Sequence, residues 1–363
     1  MTMLRRIFAM AGIESALLFR SRATFTLIVL VPAIQMLLFG NAVRPGHASV
    51  SVAVAASAPA DARNVVHELE HEKGFVAIVG RFKPGEAAAA VREGRALIGV
   101  ELSPQPSSAQ SKLVRVVIDG TDASRAANAA AAIEAIFWRG RAERADPFGQ
   151  GPTLQIDRLY NPDSRADWTF LPSLIGVTVM IAMIMLGSLS VARERETGTW
   201  EGLRTLPLAR GEILIGKALP HVAIGTAQGL LVLGGGIALF DLPVRGSVGS
   251  LIALLPLFAA AHFLIGFLIS TRASTQLAAL QGAVAIYLPV MLLSGFLYPF
   301  DTLPDWAQSI GNSFPLTYWI GAAHGALLQG RDTREVLAFG LPMLAFIVAG
   351  LAVALLARPP RFD

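Results

Sequence analysis

Long uncharged stretches separated by short polar loops dominate the chain. Crossing ~30 Å of hydrocarbon at ~1.5 Å per residue takes about twenty residues without charge. Stretches of that kind run over Ala23–Ala42, Thr169–Ala192, Ala218–Phe240, Val248–Thr271, Ala273–Phe296 and Val336–Ala357, with Arg272 at the hairpin between the fourth and the fifth. The pattern predicts six transmembrane helices. Segment 43–168 has a different texture, with ordinary charge density and short alternating signals. Strands are predicted at Val50–Ala55, Phe75–Val79, Ala96–Glu101, Val114–Ile118 and Leu154–Leu159, and helices at Ala60–His71, Gly85–Arg92 and Ala123–Arg144. Strand-helix alternation argues for βαβ units on one sheet. The expected fold class is therefore an α-helical polytopic membrane protein with an inserted α/β domain between spans one and two.

Basic residues near span ends assign the sides, because cytoplasmic loops carry the excess of Lys and Arg. Arg5, Arg6, Arg20 and Arg22 precede the first span; Arg193, Arg195, Arg204, Arg210 and Lys217 separate the second from the third; Arg358 and Arg361 follow the last. Placing these and Arg272 inside leaves Arg245, Arg331 and Arg334 outside, with both termini cytoplasmic and 43–168 periplasmic. Trp168, Tyr298, Trp306, Tyr318 and Trp319 then fall near the outer interface, where amphipathic rings are favoured. Residues 3–20 (MLRRIFAMAGIESALLFR) mix apolar and basic positions at helical spacing. They suit a helix lying in the inner headgroup layer, with a plain cytosolic extension as the alternative. The first span is longer than a signal-peptide core and lacks a small-x-small cleavage site, so it reads as an uncleaved anchor. The segments are thus an N-terminal interfacial helix (1–22), the first span (23–42), the α/β domain (43–168), spans two to six (169–357) and a short tail (358–363).

Composition agrees with this reading: 53% of the 363 residues are hydrophobic and 15% charged. A formal charge of +4 is too small for a nucleic-acid footprint. With no cysteine, thiolate metal sites, disulfides and Cys nucleophiles are excluded.

Two motifs invite enzymatic readings. His67-Glu68-Leu69-Glu70-His71 fits H-E-x-x-H, which sets two imidazoles on one helical face beside a general base, as in a membrane-anchored zinc hydrolase. Only His47 joins them within the domain, so a third ligand is not evident, and a solvated amphipathic helix explains the segment as well. Gly211 to Ala218 follows a P-loop pattern up to the last position, where Ala replaces the magnesium-binding hydroxyl and a membrane span follows. Nucleotide binding by this chain is therefore not expected. Within the spans the titratable groups are His and Tyr, notably His221, His262 and Tyr287, with no Asp or Glu. That pattern argues against proton- or ion-coupled transport and against a charged filter. Gly225 and Gly229 permit close helix approach, within one subunit or between two.

The stretch Arg193–Lys217, RERETGTWEGLRTLPLARGEILIGK, is polar, with an apolar stripe of Trp200, Leu203 and Leu206 before Pro207. A short amphipathic helix there fits a groove on a soluble partner, or lies on the headgroups. A scaffold that tethers such a partner without passing anything is a further reading.

Four blocks carry a family resemblance: VIDGTDASRAANAA at 117–130, YNPDSRADWTFLPSLIG at 160–176, ARERETGTWEGLRTLPLARGEILIGKALP at 192–220 and SGFLYPFDTLPDWAQSIGNSFPLTYWI at 294–320. In this order they resemble the permease subunits of type-2 ATP-binding-cassette exporters, in the subgroup with a large periplasmic domain after the first span. The resemblance implies that 193–217 is a coupling helix docking on an ATPase. Glu194, Glu196, Gly198, Thr199, Leu203 and Pro207 hold its motif positions, with Arg193 and Thr197 among them. It implies an outer hairpin over 297–335 whose short helices dip back and cap the pathway, with Phe296, Tyr298, Pro299, Pro304 and Pro315 at the gate. It implies a second permease copy or paralogue, two ATPases that hold ATP and magnesium, and in some members a periplasmic adaptor with an outer-membrane duct. The cargo would be a drug-like or hydrophobic compound leaving through the bacterial inner membrane. The resemblance supplies no catalytic residue, metal ligand or cofactor for this chain.

Overall fold

A computed structural model describes residues 3–20, 26–41, 50–56, 76–83, 85–104, 112–143, 153–205 and 208–356. They form two compact units, one from Ala42 to Thr169 and one from the remainder.

In the helical unit, α1 (Met3–Arg20) is followed by a π-helical turn, Thr26–Leu30, and α2 (Val31–Asn41). These last two are the described part of the expected first span. The α/β unit then contributes β1 (Val50–Ala56), β2 (Val76–Phe82), α3 (Glu86–Arg92), β3 (Ile98–Pro104), β4 (Lys112–Asp119), α4 (Ala123–Glu143) and β5 (Thr153–Leu159). The expected helix Ala60–His71, and with it His67, Glu68 and His71, lies outside the described residues.

The five strands form one sheet in the order β2-β1-β3-β4-β5, parallel except for the β3–β4 pair. Side chains alternate across a strand, and the two faces are covered separately. Val52, Val54, Ile98, Val100, Val116 and Ile118 pack under Ala126, Ala129, Ala130 and Ile133 of α4. Ala53, Ala55 and Val117 pack under Ala87, Ala88, Ala90 and Val91 of α3. Small residues on that second face let α3 lie very close: a Cβ on Gly99 would stand 2.7 Å from the Ala87 carbonyl oxygen.

The helical unit continues with α5 (Ala166–Glu196), α6 (Thr199–Thr205), α7 (Arg210–Phe240), α8 (Val248–Ser270) and α9 (Gln276–Leu293). A 3-10 turn, Phe300–Thr302, leads to α10 (Asp305–Gly311) and α11 (Pro315–His324). A π turn, Gly325–Gln329, precedes α12 (Thr333–Ala338) and α13 (Gly340–Leu356). Among the described residues five helical segments are long and apolar enough to cross a membrane. Of the most apolar window in each, 83% is buried for α5 against 17% for α9 and for the α12–α13 segment. Helix α5 is thus the axis of the unit, and the other two present side chains outward.

Helices α5 and α8 cross almost main chain on main chain. A Cβ on Gly187 would stand 2.7 Å from the Phe263 carbonyl oxygen, and one on Gly266 would strike the Ile184 carbonyl oxygen. One turn further on, Ser270 Oγ accepts from the amides of Val191 and Ala192 at 2.8 and 2.9 Å. Gly225 and Gly229 of α7 serve the same kind of approach within the chain, facing Met183 and Leu255. Four of these helices carry an interior proline, Pro172, Pro220, Pro256 and Pro289. Each lacks the amide that would bond four residues back, which membrane helices tolerate because neighbours compensate.

The structure adds detail to two expectations. The helices do not coincide with the uncharged runs: α5 and α7 extend into charged sequence, to Glu196 and back to Arg210, while α9 starts only at Gln276, where Thr275 Oγ1 caps the Ala278 amide. Trp319 is packed inside the helical unit and is not an exposed ring. It is fully buried, stacked at 4.9 Å on Phe258 in the space left by Gly176, and its indole N–H donates to the Pro172 carbonyl at 3.4 Å. By contrast Tyr298 and Trp306 are exposed.

Candidate functional site

The end of α5 is built as a joint. Arg193, Glu194 and Glu196 occupy its last turn; Thr197 and Gly198 form the break, and Thr199 begins α6. Gly198 sits at φ +75°, a conformation that glycine adopts without strain. The exposed carbonyls of the α5 terminus are closed locally. The amides of Thr197 and Gly198 return to Arg193 and Arg195, and the Thr199 hydroxyl donates to the Glu194 carbonyl at 3.3 Å. Arg195 donates to the Ala273 carbonyl at 3.2 Å and lies over the Trp200 ring. Glu196 accepts the Gln276 amide at 2.7 Å, so its carboxylate caps the start of α9. The joint is therefore tied by side chains to the turn between α8 and α9 and to the start of α9, and Ser270 of α8 bonds the turn of α5 just before it. Leu203 lies in α6, and Leu206 and Pro207 lie outside the described residues.

Behind the joint sits a charge cluster that the uncharged-run reading missed. Lys217 is expected in a cytoplasmic loop, but it stands two turns into α7 and is fully buried. Its ammonium donates to Glu14 Oε2 at 2.9 Å, Glu194 Oε1 at 2.7 Å and the Ser190 carbonyl at 2.9 Å. A lysine has three N–H donors, and all three are used. His221, one turn on, bonds the Lys217 carbonyl through Nδ1 at 2.7 Å and brings Nε2 to 3.9 Å from Glu14. Beside it, Glu212 accepts the Ala209 amide at 2.8 Å and approaches Arg6 at 3.7 Å.

This cluster fastens α1 to α7. Ile7, Met10, Glu14 and Leu18 form the buried face of α1, and a Cβ on Gly216 would stand 2.7 Å from Met10 Cβ. The P-loop-like glycines are thus helical, and Gly216 admits a neighbouring helix instead of wrapping a phosphate. The opposite face of α1 exposes Leu4, Phe8, Ile13 and Phe19. A signal for the cluster does exist in the sequence. Glu14 falls on the apolar face that Ile7, Met10 and Leu18 define, and a carboxylate there demands a buried partner.

The residues expected at the gate differ in exposure and in the element that carries them. Phe296 is buried edge-on to Phe170 with centroids 6.4 Å apart, while Tyr298 is exposed. Pro299 precedes the 3-10 turn, Pro304 caps α10, and Pro315 opens α11 at its first turn, where its missing amide costs nothing. Helix α11 and the π turn after it carry buried faces, including Leu316, Trp319, Ala323, Leu327 and Leu328. Among the described residues no group of three His, Asp or Glu is placed to hold a metal ion.

A helical bundle with five segments long and apolar enough to cross a membrane, and with its P-loop-like glycines folded into a helix, has the character of a transporter's membrane half. Residues 129–328 match the ABC-2 type transporter family, and the chain belongs to that family. It is a permease subunit of an ATP-binding-cassette exporter, a multi-pass inner-membrane protein whose ATPase is a separate polypeptide. It is 29% identical over 320 residues, 85% of this chain and 86% of the relative, to the probable multidrug ABC transporter permease YbhR of Escherichia coli (strain K12). It is 24% identical over 370 residues, 99% of this chain and 98% of the relative, to YbhS, described in the same words and from the same organism. The inner membrane transport permease YhhJ of Escherichia coli (strain K12) is 27% identical over 222 residues, 56% of this chain and 55% of its own length.

Proposed function

We propose that the chain moves hydrophobic or drug-like compounds out of the cytoplasm or inner leaflet, as one of two permeases driven by two ATP-binding-cassette ATPases. The names of YbhR and YbhS support the cargo class. In this reading the helix completed by Thr26–Asn41 is a sixth crossing, both termini and α6 face the cytosol, and the α/β unit is periplasmic. The α10–α11 region is the outer cap, and a periplasmic adaptor joins at the α/β unit. No observation favours a hydrolase built on His67, Glu68 and His71.

One observation carries the mechanism: the end of α5 is bonded to α8 through Ser270 and to α9 through Glu196. An ATPase pressing on α6 therefore displaces three membrane helices together. The bundle itself needs only to receive force, because nucleotide binding and hydrolysis occur on the partner. Arg193, Glu194 and Thr197 shape the joint, and Thr199, Leu203 and Pro207 present the docking helix.

The test is to reconstitute the permease with its ATPase and measure turnover and copurification. Glu196→Arg removes the carboxylate cap on α9, and Gly198→Pro forbids the positive φ of the break. Each is expected to lower permease-stimulated ATP hydrolysis at least about tenfold, equivalent to ~1.4 kcal/mol of coupling, with normal membrane insertion. Unchanged stimulation in both variants would remove the coupling assignment.

A further inference from the structure

We propose that the outer side of α1 binds anionic lipid of the cytoplasmic leaflet, and that this contact holds Glu14 against Lys217, so that acidic lipid strengthens the coupling of α6 to ATP hydrolysis. The proposal names a regulator of the joint and rests on the export reading above.

The position of α1 is the first support. Its buried face packs on the opening turns of α7, with Ile7 and Met10 against Gly216. Those turns belong to a segment long and apolar enough to cross a membrane. A helix laid beside the end of a span meets lipid with its free side. The make-up of that side is the second support. Leu4, Phe8 and Phe19 are 66%, 65% and 83% exposed, and with Ala11 and Ser15 they form one stripe along the helix. Ser15 is the polar member of the stripe. Its hydroxyl donates to the Ala11 carbonyl at 2.7 Å, so it is satisfied without water.

Charge decides which lipid. Glu14 is the one acid in α1, and it turns inward onto Lys217. Arg6 approaches Glu212 at 3.7 Å. Arg5 and Arg20 stand beside the two ends of the stripe, exposed, and among the described residues they make no ion pair. Apolar side chains bordered by unpaired arginines match acyl chains under an anionic headgroup layer, whereas a zwitterionic surface offers no net counter-charge. The link to the joint runs through the other face of α1. Lys217 holds Glu14 at 2.9 Å and Glu194, in the last turn of α5, at 2.7 Å. Lipid that fixes α1 therefore fixes one ligand of the ammonium that braces the joint. An α1 that lifts from the bilayer withdraws Glu14 and loosens Glu194.

The experiment uses the full chain in nanodiscs, alone and with its ATPase. The chain has no cysteine, so Ala16→Cys on the exposed side of α1 takes a single bimane label. Quenching by nitroxide-labelled phosphatidylglycerol is compared with quenching by the matching phosphatidylcholine. Phosphatidylglycerol is expected to quench at lower mole fraction, by about fivefold for each arginine engaged. The preference should collapse in high salt and in the double variant Arg5→Gln, Arg20→Gln, whose exposed positions spare the fold. Permease-stimulated ATP hydrolysis is expected to rise with phosphatidylglycerol content in the wild type and to stay flat in the double variant. No local preference, a preference that survives the double variant, or stimulation indifferent to phosphatidylglycerol would overturn the proposal. So would loss of ATPase copurification by the double variant in pure phosphatidylcholine, which would give the arginines to the partner protein. Glu196→Arg separates this proposal from the export reading. If it still uncouples while α1 shows no preference, coupling through α6 stands and lipid regulation falls. If it is silent while turnover follows the lipid, the route through α6 falls and takes this link with it.

Discussion

Lys217 shows how much one side chain can carry in this molecule. Its ammonium holds two carboxylates and a main-chain carbonyl from two other helices with no water contact. Breaking a buried pair by removing one partner strands the other charges, at ~3–5 kcal/mol. Lys217→Met is therefore expected to lower the thermal midpoint of the purified protein sharply, and adding Glu14→Gln to recover part of the loss. In the α/β unit, Arg115 Nε bonds Asp157 Oδ2 at 2.7 Å and holds that carboxyl below its ordinary range. A lowered folded value means stability that is present above the unfolded pKa of ~3.9 and is lost as pH falls through the folded value. The pair is partly solvent-exposed, so Asp157→Asn is expected to cost about 0.2–1 kcal/mol at pH 7. The gap to wild type should close below pH ~3 in denaturant titrations. Of the residues at the joint, Glu194, Glu196, Gly198 and Thr199 stand out in the sequence as a dense polar motif. Lys217 does not, because a lysine that begins an apolar run looks like a loop cation until a partner helix is placed beside it.

At the level of elements, the strands were legible and the helix ends were not. Alternating apolar positions mark β1, β4 and β5 within a residue or two, while β2 and β3 each end three residues beyond expectation; both faces of the sheet are covered, which enforces the period of two. A count of uncharged residues finds only hydrocarbon-length segments. It therefore misses the charged turns of α5 and α7, which protein side chains satisfy instead of lipid. The crossing of α5 and α8 was equally hidden, since Gly187 and Gly266 are separated in sequence and glycines abound in the spans. Gly266→Leu would drive a side chain into the α5 main chain. It is expected to destabilise by at least ~1–3 kcal/mol, read as a lower thermal midpoint and weaker ATPase stimulation together. Trp319→Ala, which empties the space above Gly176, should cost ~3–5 kcal/mol by the same assay.

For the molecule as a whole, the sequence supports an outline of apolar helices interrupted by an α/β segment, and the structure supplies what joins them. Which side each loop faces rests on the distribution of Arg and Lys, and the chain offers a clean way to check it. It has no cysteine, so Thr205→Cys on exposed α6 introduces a single thiol. A membrane-impermeant maleimide should leave it unmodified in intact cells and label it in inverted vesicles, and labelling in intact cells would place α6 outside. Finally, Pro172, Pro220, Pro256 and Pro289 notch four of the long helices. A rod already missing a rung flexes at that rung before it yields elsewhere. The bundle thus carries its compliance at fixed points, and amide deuteration beside those four prolines should quicken during turnover while α13, whose Pro342 sits in its first turn, keeps its resting pace.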